Sequence, residues 1–433
     1  MPGWNSGRWL LALLAGVTLC VPAPEPSPKR PRLGVIYTET TEFDATAWTR
    51  SAERFPAGAQ IKVVSAGVPR LIAPGFAATA DPALSFDARE LLFSAKQRPA
   101  DAWQIWRVPL AGGAPAKLTQ SPDDCIRPIP TPGGAVVYAR RRDGRFQLEI
   151  LRPGAAPLPI SFLPGATVPA QVLRDGRILF EAVDHPGHIE LYTVYDNGSG
   201  VESLRCDHHE DHRDARQTAS GDIVFTTRNG LARFTSGATR AVPLPSPSGE
   251  IAGPVAELST GEWLLSLRAT AAAPAHLHRW RPGTAPVREL TNAVQPVVIA
   301  PRDVPPAHPS ALHNRPAGVL LCLNAYESPL RFPAGSVAAV RLLTESGPLG
   351  ETPVESDGSF YVQVPSERPL RFELLDASGQ TLAAQKNWFW MRRGEQRACV
   401  GCHAGPERAP ENIVPKILTR LLQPVPLMKE TPR

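Results

Sequence analysis

The stretch Asp81-Pro82-Ala83-Leu84-Ser85-Phe86-Asp87, followed by Leu91-Leu92-Phe93, sets a pattern that predicts the fold of residues 33–300. A small residue or proline opens a short strand, a polar turn follows, and an apolar strand ends near an aromatic side chain. The pattern returns with anchors at Pro82, Pro128, Pro169, Ala215 and Pro254, which are 46, 41, 46 and 39 residues apart. A period of about 40–45 residues with several strands per unit is typical of a β-propeller blade.

The number of blades follows from the repeats and from the start of the same region. Each unit adds a further alternating strand after its hairpin, and residues 34–37 and 61–64 supply another partial unit. A single blade cannot bury both faces of its sheet, so the units must stack around an axis. We predict six blades, or seven if the ends of the region complete another.

A second, smaller β domain is expected after the propeller. Residues 301–316 are proline-rich and predict a linker. Six short alternating segments then follow within residues 317–392, with an Asp357-Gly358 turn between two of them, which predicts a compact β-sandwich. The 48 prolines argue against long helices. The expected fold class is therefore all-β.

The segment after the sandwich, residues 393–433, contains Cys399-Val400-Gly401-Cys402-His403. Two cysteines two residues apart and a histidine directly after them form the attachment signature of a c-type haem. The thiols of Cys399 and Cys402 would bond the two vinyl groups, and His403 would bind the iron. A redox dithiol or half of a zinc ribbon are the alternatives. The sequence has no second CxxC and no βαβ context, so we predict one covalent haem c.

The first residues have the pattern of an export signal. Arg8 precedes an apolar run at residues 9–21, which is too short for a membrane span, and a signal peptidase could cut after Ala23. Residues 1–23 are therefore interpreted as a signal peptide and 24–32 as a proline-rich spacer. Cys20 offers a lipid anchor as an alternative, although Leu19 stands where a lipoprotein signal needs a small residue. We expect a periplasmic or otherwise exported protein without a transmembrane span.

The charge of the chain excludes one class of partner. The net charge of +5 is spread over interspersed acids and bases, and no basic block of the kind that follows nucleic acid is present. Nucleic-acid binding is therefore not expected.

The second axial ligand of the iron separates two functions. A strong ligand suits an electron carrier, whereas an open position binds a small molecule. The candidates from the sequence are Met428, His308 and His313.

A further metal site is a weaker prediction. The segment Cys206-Asp207-His208-His209-Glu210-Asp211-His212 has ligand types that suit zinc or another divalent metal, although its spacing is irregular. Cys125 lies at a position expected to line the propeller channel and could meet this segment. A polar loop is the alternative.

The C-terminal third resembles the haem-bearing middle domain of the hydrazine synthase alpha subunit. The segments that carry this resemblance are Gly350-Glu351-Thr352-Pro353-Val354, Asp357-Gly358-Ser359-Phe360, Leu374-Leu375-Asp376, Trp388-Phe389-Trp390, Arg393-Gly394-Glu395, the haem motif and Ala409-Pro410-Glu411-Asn412. The propeller repeats resemble those of TolB-type proteins. The resemblance implies a metal near the haem, held by cysteine, acid and histidine groups of the propeller, and on this basis Cys125 and His212 are the ligands that we predict. It departs at Glu407, where the family has an iron-binding tyrosine, and in the lack of a second CxxCH.

Three functions follow as hypotheses. The first is electron transfer with a redox partner protein, in which the propeller is a docking or support domain. The second is a haem-dependent oxidoreductase acting on a small nitrogen or oxygen compound. The third is a propeller binding module with a structural or sensory haem.

Overall fold

The computed structural model describes residues 34–65, 67–184, 187–204, 211–236, 240–307, 312–328, 330–401, 413–420 and 422–428. These residues form six antiparallel sheets of four strands in the first part of the chain and two four-stranded sheets in the second, one of which also contains parallel strand pairs; in the sixth sheet the innermost strand is split in two. The signal-peptide prediction and Cys20 lie outside the described residues. Within the described part of the chain, no helix combines the length and the apolar character needed to cross a membrane.

The first six sheets are the blades of a propeller. In chain order their strands are β1 (Val35–Glu39), β2 (Gln60–Val64) and β3 (Arg70–Leu71); β4 (Ala78–Leu84), β5 (Glu90–Lys96), β6 (Gln104–Pro109) and β7 (Ala116–Lys117); β8 (Cys125–Pro130), β9 (Val136–Arg142), β10 (Arg145–Leu151) and β11 (Leu158–Pro159); β12 (Thr167–Val172), β13 (Ile178–Val183), β14 (Ile189–Val194) and β15 (Glu202–Ser203); β16 (Arg213–Gln217), β17 (Ile223–Thr227), β18 (Gly230–Phe234) and β19 (Val242–Pro243); β20 (Glu250–Ile251), β21 (Ala256–Glu257), β22 (Trp263–Arg268), β23 (His276–Trp280) and β24 (Val287–Leu290); and β25 (Ala293–Val298). A 3-10 helix, Ala47–Arg50, lies between β1 and β2, and a second, Pro132–Gly134, lies between β8 and β9.

The propeller is closed by its own two ends. β25, the last strand, pairs with β1, the first, and becomes the innermost strand of the first blade. Closure removes the exposed edges that an open ring of sheets would leave. The prediction of an all-β propeller is confirmed, and the blade number is six.

A bulge interrupts the innermost strands of the blades at the same position. The pairing register shifts beside Asp81, Arg127, Asp214 and Gln295, and each of these residues has a positive φ of 51–57°. Gly253, with φ 92°, occupies the corresponding position between β20 and β21. Positive φ is uncommon outside glycine and indicates a position that the surrounding contacts enforce.

Two sheets of four strands form the sandwich. Its strands are β26 (Ala317–Cys322), β27 (Ala339–Thr344), β28 (Gly347–Pro353), β29 (Phe360–Pro365), β30 (Arg371–Leu375), β31 (Thr381–Ala384), β32 (Gln396–Cys399) and β33 (Val425–Pro426), with one short helix, α1 (Lys416–Arg420). The sheet orders are β32-β26-β29-β33 and β28-β27-β30-β31. The six predicted strands are all present. β32 and β33, from the segment that the sequence analysis treated as a separate tail, pair with β26 and β29 and complete one sheet.

The sandwich packs against one face of the propeller. We call the face where the innermost strands begin the entry face, and the opposite one the exit face. Trp390 is fully buried and donates from Nε1 to the Gly198 carbonyl oxygen at 2.8 Å, in an exit-face turn. Its ring lies against Phe162 and Phe180 of the propeller. One apolar core therefore continues from the third and fourth blades into the sandwich.

Candidate functional site

The first cysteine of the haem motif ends a strand. Cys399 is the last residue of β32, which runs parallel to β26 with Cys399 opposite Cys322. The Cys399 carbonyl oxygen accepts from Leu323 N at 2.8 Å, which fixes the backbone, and the side chain is partly exposed. Its thiol donates to the Gly401 carbonyl oxygen at 3.2 Å. Cys402 and His403 lie outside the described residues.

Gly401 occupies a position where only glycine fits. Its φ is +153°, and a Cβ there would lie 2.7 Å from the Asn324 carbonyl oxygen and 2.7 Å from Glu327 Cβ. The glycine between the two cysteines therefore lets the chain leave β32 directly against the loop that follows β26. This close approach is a property of the motif that CxxCH spacing alone does not predict.

The same end of the sandwich is held together by the turn at residues 355–359 and by α1. Lys416 N donates to Asp357 Oδ2 at 2.7 Å, and Ile417 N donates to Ser359 Oγ at 3.1 Å. Backbone donation to Asp357 and hydrogen bonds from Ser359 outweigh the effect of burial and lower the pKa of the Asp357 carboxyl. The helix is thereby fixed to the hairpin although it has only five residues.

These residues fit a covalent haem. Cys399 is partly exposed at a sheet end, and Gly401 turns the chain away from the sheet, so that a macrocycle bonded to the thiol would lie outside the packed core. Cys399, Cys402 and His403 are the residues that would hold it.

The structure places the described candidates for a second iron ligand away from Cys399. β33 pairs with β29 three strands from β32, and Met428 lies further along it, which corresponds to about 16 Å along the strands and about 14 Å across them. His313 N donates to the Gly394 carbonyl oxygen, five residues before Cys399, at the opposite end of β32. His308 lies outside the described residues.

Cys125 is part of the propeller core. It is fully buried at the start of β8, among Leu92, Ile105, Val136 and Tyr138. Burial raises the pKa of its thiol to about 12, which disfavours the thiolate that a metal requires. The start of β8 is on the entry face, about one strand length, roughly 17 Å, from the exit face that carries the sandwich.

His212 lies in a different packing environment. Its ring makes edge contacts with Phe225 and Phe234 at 4.7 and 5.2 Å between ring centroids, and its Nδ1 is 3.7 Å from Glu190 Oε2. Residues 206–210 lie outside the described part of the chain. Among the described residues, no group of three histidine, cysteine, aspartate or glutamate side chains has the arrangement of a metal site. The second metal at Cys125 and His212 stays a prediction.

A buried polar network fills the propeller axis, and Asp81 is its centre. Its carboxylate accepts from Arg54 Nη1 and Nη2 at 2.5 and 2.8 Å, from Ser94 Oγ at 2.7 Å, and from Gln295 Nε2 at 2.8 Å. Burial opposes the charge, but the Arg54 guanidinium outweighs it and holds the pKa of Asp81 well below its usual range.

The bulges connect neighbouring blades through this network. Three of the bulge residues turn their backbone N–H towards a side chain of the previous blade. Asp81 N donates to Gln295 Oε1 at 3.0 Å, Arg127 N donates to Asp81 Oδ2 at 3.1 Å, and Asp214 N donates to Glu181 Oε1 at 2.9 Å. The strained positions are therefore stabilised by contacts between blades.

One guanidinium serves two carboxylates on the far side of the axis. Arg127 Nη1 lies 3.4 Å from Glu181 Oε1, and Arg127 Nη2 lies 3.8 Å from Asp214 Oδ1. Burial raises the pKa of Glu181 to about 7, and Asp214 adds to the increase while Arg127 opposes it. Arg54, Glu181 and Gln295 are not among the residues predicted from the sequence. For Gln295 a signal was present, because Pro296 follows Pro254 by 42 residues.

A polar cleft of about 360 Å³ opens on the entry face above the Arg54–Asp81 pair. Its wall includes Glu53, Lys96 and Trp103, which are already paired: Lys96 Nζ donates to Glu53 Oε2 at 2.9 Å, and Trp103 Nε1 donates to the same oxygen at 3.2 Å. The cleft lies on the face opposite to the sandwich and is separate from the haem motif.

Comparisons with known proteins agree with this architecture. Residues 334–404 match the family described as the hydrazine synthase alpha subunit middle domain. The fold is similar to that of Kuenenia stuttgartiensis hydrazine synthase, with a TM-score of 0.76 and 16% identity over 90% of this chain and 72% of that chain. TolB from Acinetobacter baumannii gives a TM-score of 0.43 and 13% identity over 62% of this chain and 66% of that chain.

No curated protein sequence matches the chain. At 16% identity the likeness to the Kuenenia protein shows a shared fold. The predicted resemblance is confirmed: this chain has the fold of a hydrazine synthase chain, and its sandwich matches the alpha subunit middle domain.

Proposed function

We propose that the chain is an exported protein with one haem c, bonded to Cys399 and Cys402, at which a small nitrogen or oxygen compound is oxidised or reduced. The observation that carries the proposal is the position of the motif. It begins at a partly exposed strand end inside the part of the chain that matches the hydrazine synthase alpha subunit middle domain. When bound, the haem supplies an iron that exchanges electrons and takes a small ligand.

The protein residues have three roles in this proposal. Cys399 and Cys402 would tether the macrocycle, and His403 would bind the iron. Gly401, packed against the loop of Asn324 and Glu327, sets the direction in which the chain leaves the sheet. The propeller, joined to the sandwich through Trp390 and Gly198, is a rigid support for the sandwich.

The placement of Met428 and His313 favours small-molecule chemistry over simple electron transfer. Both lie roughly 16 Å or more along the sheet from the level of Cys399, and we propose on this basis that neither would bind the iron. We propose that a redox partner protein supplies or removes the electrons, in the periplasm.

Optical spectroscopy with carbon monoxide tests this function. The protein is matured in a periplasm that attaches haem c, reduced with dithionite and mixed with carbon monoxide. We expect rapid formation of a carbonyl spectrum in the wild type and in a Met428→Leu variant at equal rates. A reduced spectrum that does not change with carbon monoxide would instead identify a six-coordinate electron carrier. Loss of that six-coordinate spectrum in Met428→Leu would identify Met428 as its ligand.

A further inference from the structure

Exposed apolar side chains are concentrated at the haem end of the sandwich. Leu330, Ile413, Val414, Leu418 and Leu422 are all large, apolar and exposed, and the exposed fractions of Val414 and Leu422 are 71% and 91%. We call these five residues the haem-end patch. Single exposed apolar residues are normal, whereas several on one end of a domain indicate a surface that something covers.

Two contacts connect the haem-end patch to the motif. On one side, α1 is hydrogen-bonded to Asp357 and Ser359. The next residue, Phe360, pairs with Cys322 on the neighbouring strand, and Cys322 pairs with Cys399 on the strand after that. Two strand spacings, about 10 Å, therefore separate Cys399 from Phe360, the residue that follows Ser359. On the other side, Gly401 packs against Glu327, and Leu330 lies three residues after Glu327 in the chain.

α1 is oriented by polar contacts that bury Ile417 and leave Leu418 outside. Ile417 is buried, Lys416 Nζ donates to Ser356 Oγ at 2.7 Å, and Arg420 Nη1 pairs with Glu355 Oε1 at 2.7 Å. Val414, Leu418 and Leu422 are exposed before, within and after α1, respectively. Burial of Ile417 and exposure of Leu418 thus follow from one orientation.

We propose that the haem-end patch forms an apolar wall for one face of the haem tethered at Cys399. A covalent tether holds the macrocycle within its own reach of this surface, and no free ligand or partner has a comparable local concentration. A porphyrin face is apolar, and its width is similar to the two strand spacings between Cys399 and Phe360, which follows the Ser359 that binds α1. The inference rests on the proposed haem, and it assigns the residues that exclude water from it and thereby set its reduction potential.

Hydrogen exchange measured by mass spectrometry tests the contact directly. The amides of residues 413–420 are compared between the haem-loaded protein and a Cys399→Ala/Cys402→Ala variant. We expect stronger protection in the haem-loaded protein at these residues and no difference in the entry-face loops. Equal protection in both proteins, with haem present in one of them, would overturn the proposal.

A pair of variants provides the second test. In Val414→Ser/Leu418→Ser we expect one haem per chain by the pyridine haemochrome assay, together with a shifted midpoint potential and loss of the protection at residues 413–420. The matched control, Val68→Ser/Leu158→Ser, changes two exposed apolar residues of the propeller. It should change neither the midpoint potential nor the protection of residues 413–420.

Three results separate the alternatives. An unchanged potential in a double variant that carries haem would overturn the proposed wall. A wild type that is dimeric on size exclusion, with a monomeric Val414→Ser/Leu418→Ser, would assign the haem-end patch to a second copy instead. Absence of haem from the wild type would overturn the proposed function, and the wall with it.

Discussion

The substitution Asp81→Asn tests how the propeller is held closed. Asn has nearly the same shape, and it tolerates the positive φ of 57° at this position, so the change removes mainly a charge. The side chains of Asp81 and Arg54 are 3% and 2% exposed. Removal of one partner leaves the Arg54 guanidinium buried beside a neutral amide. Loss of one partner of a buried pair destabilises a protein by about 3–5 kcal/mol.

The size of this effect can be measured by differential scanning calorimetry. For a domain of this length, 1 kcal/mol corresponds to about 2 °C, so we expect the propeller transition of Asp81→Asn to fall by about 6–10 °C. The double variant Arg54→Met/Asp81→Asn should recover part of the loss, because both charges are then absent. Asp87→Asn, an exposed carboxylate in the next turn, is the control and should leave the transition unchanged.

The pH dependence of the same variant has a defined sign. The Arg54 guanidinium lowers the pKa of Asp81 against the effect of burial, so the ionised carboxylate stabilises the fold above the usual aspartate pKa, and this stabilisation is lost as the pH falls through the lowered value. The difference between wild type and Asp81→Asn should be constant between about pH 5 and 8 and should narrow only below about pH 4. A shift of less than about 2 °C at pH 7 would refute the account of the network.

Three further changes test other parts of the structure. Glu181→Gln should remove a pH dependence of stability. Burial raises the pKa of Glu181 from 4.5 to about 7, so the protonated carboxyl stabilises the wild type at low pH and this stabilisation is lost as the pH rises through that interval. The free energy of urea unfolding should therefore differ less between pH 5 and pH 8 in the variant than in the wild type. Trp390→Ala should lower the free energy of unfolding by about 3–5 kcal/mol and make the sandwich separable from the propeller by limited proteolysis, because the buried indole donates a hydrogen bond to the Gly198 carbonyl oxygen. An unchanged digestion pattern would argue against this anchor. Gly401→Ala should reduce haem attachment severalfold by the pyridine haemochrome assay, because its Cβ would meet Asn324 and Glu327, whereas Gly283→Ala, in a turn with open space and φ +84°, should leave attachment unchanged.

Much of the fold could be predicted from the sequence because the repeats are local. The X-Pro anchors mark the bulges of the innermost strands, and their spacing gives the blade number once β25 is recognised as the closing strand. β25 was not recognised, because pairing between residue 298 and residue 35 has no local signal. The same holds for β32 and β33, whose partners lie far away in the chain.

The site was predicted less completely than the fold. The haem motif is local and could be predicted directly from the sequence. The distances of Met428 and His313 from Cys399 depend on the order of the strands in the sheet, for which the sequence has no local signal. Cys125 and His212 have the right chemistry for a metal, but their burial among apolar and aromatic side chains is a property of the packed blades. Arg54 and Glu181 are unremarkable in the sequence, since only closure of the propeller brings them to Asp81 and Arg127.

The most direct test of the central claim is the intact mass of the purified, periplasmically matured protein under denaturing conditions, with peptide mapping of the segment around Cys399. The account predicts a mass increase of a single haem, located on the peptide that contains Cys399 and Cys402 and absent from the Cys399→Ala/Cys402→Ala variant. A denatured chain without covalently bound porphyrin, in cells that mature a control cytochrome c, would contradict it.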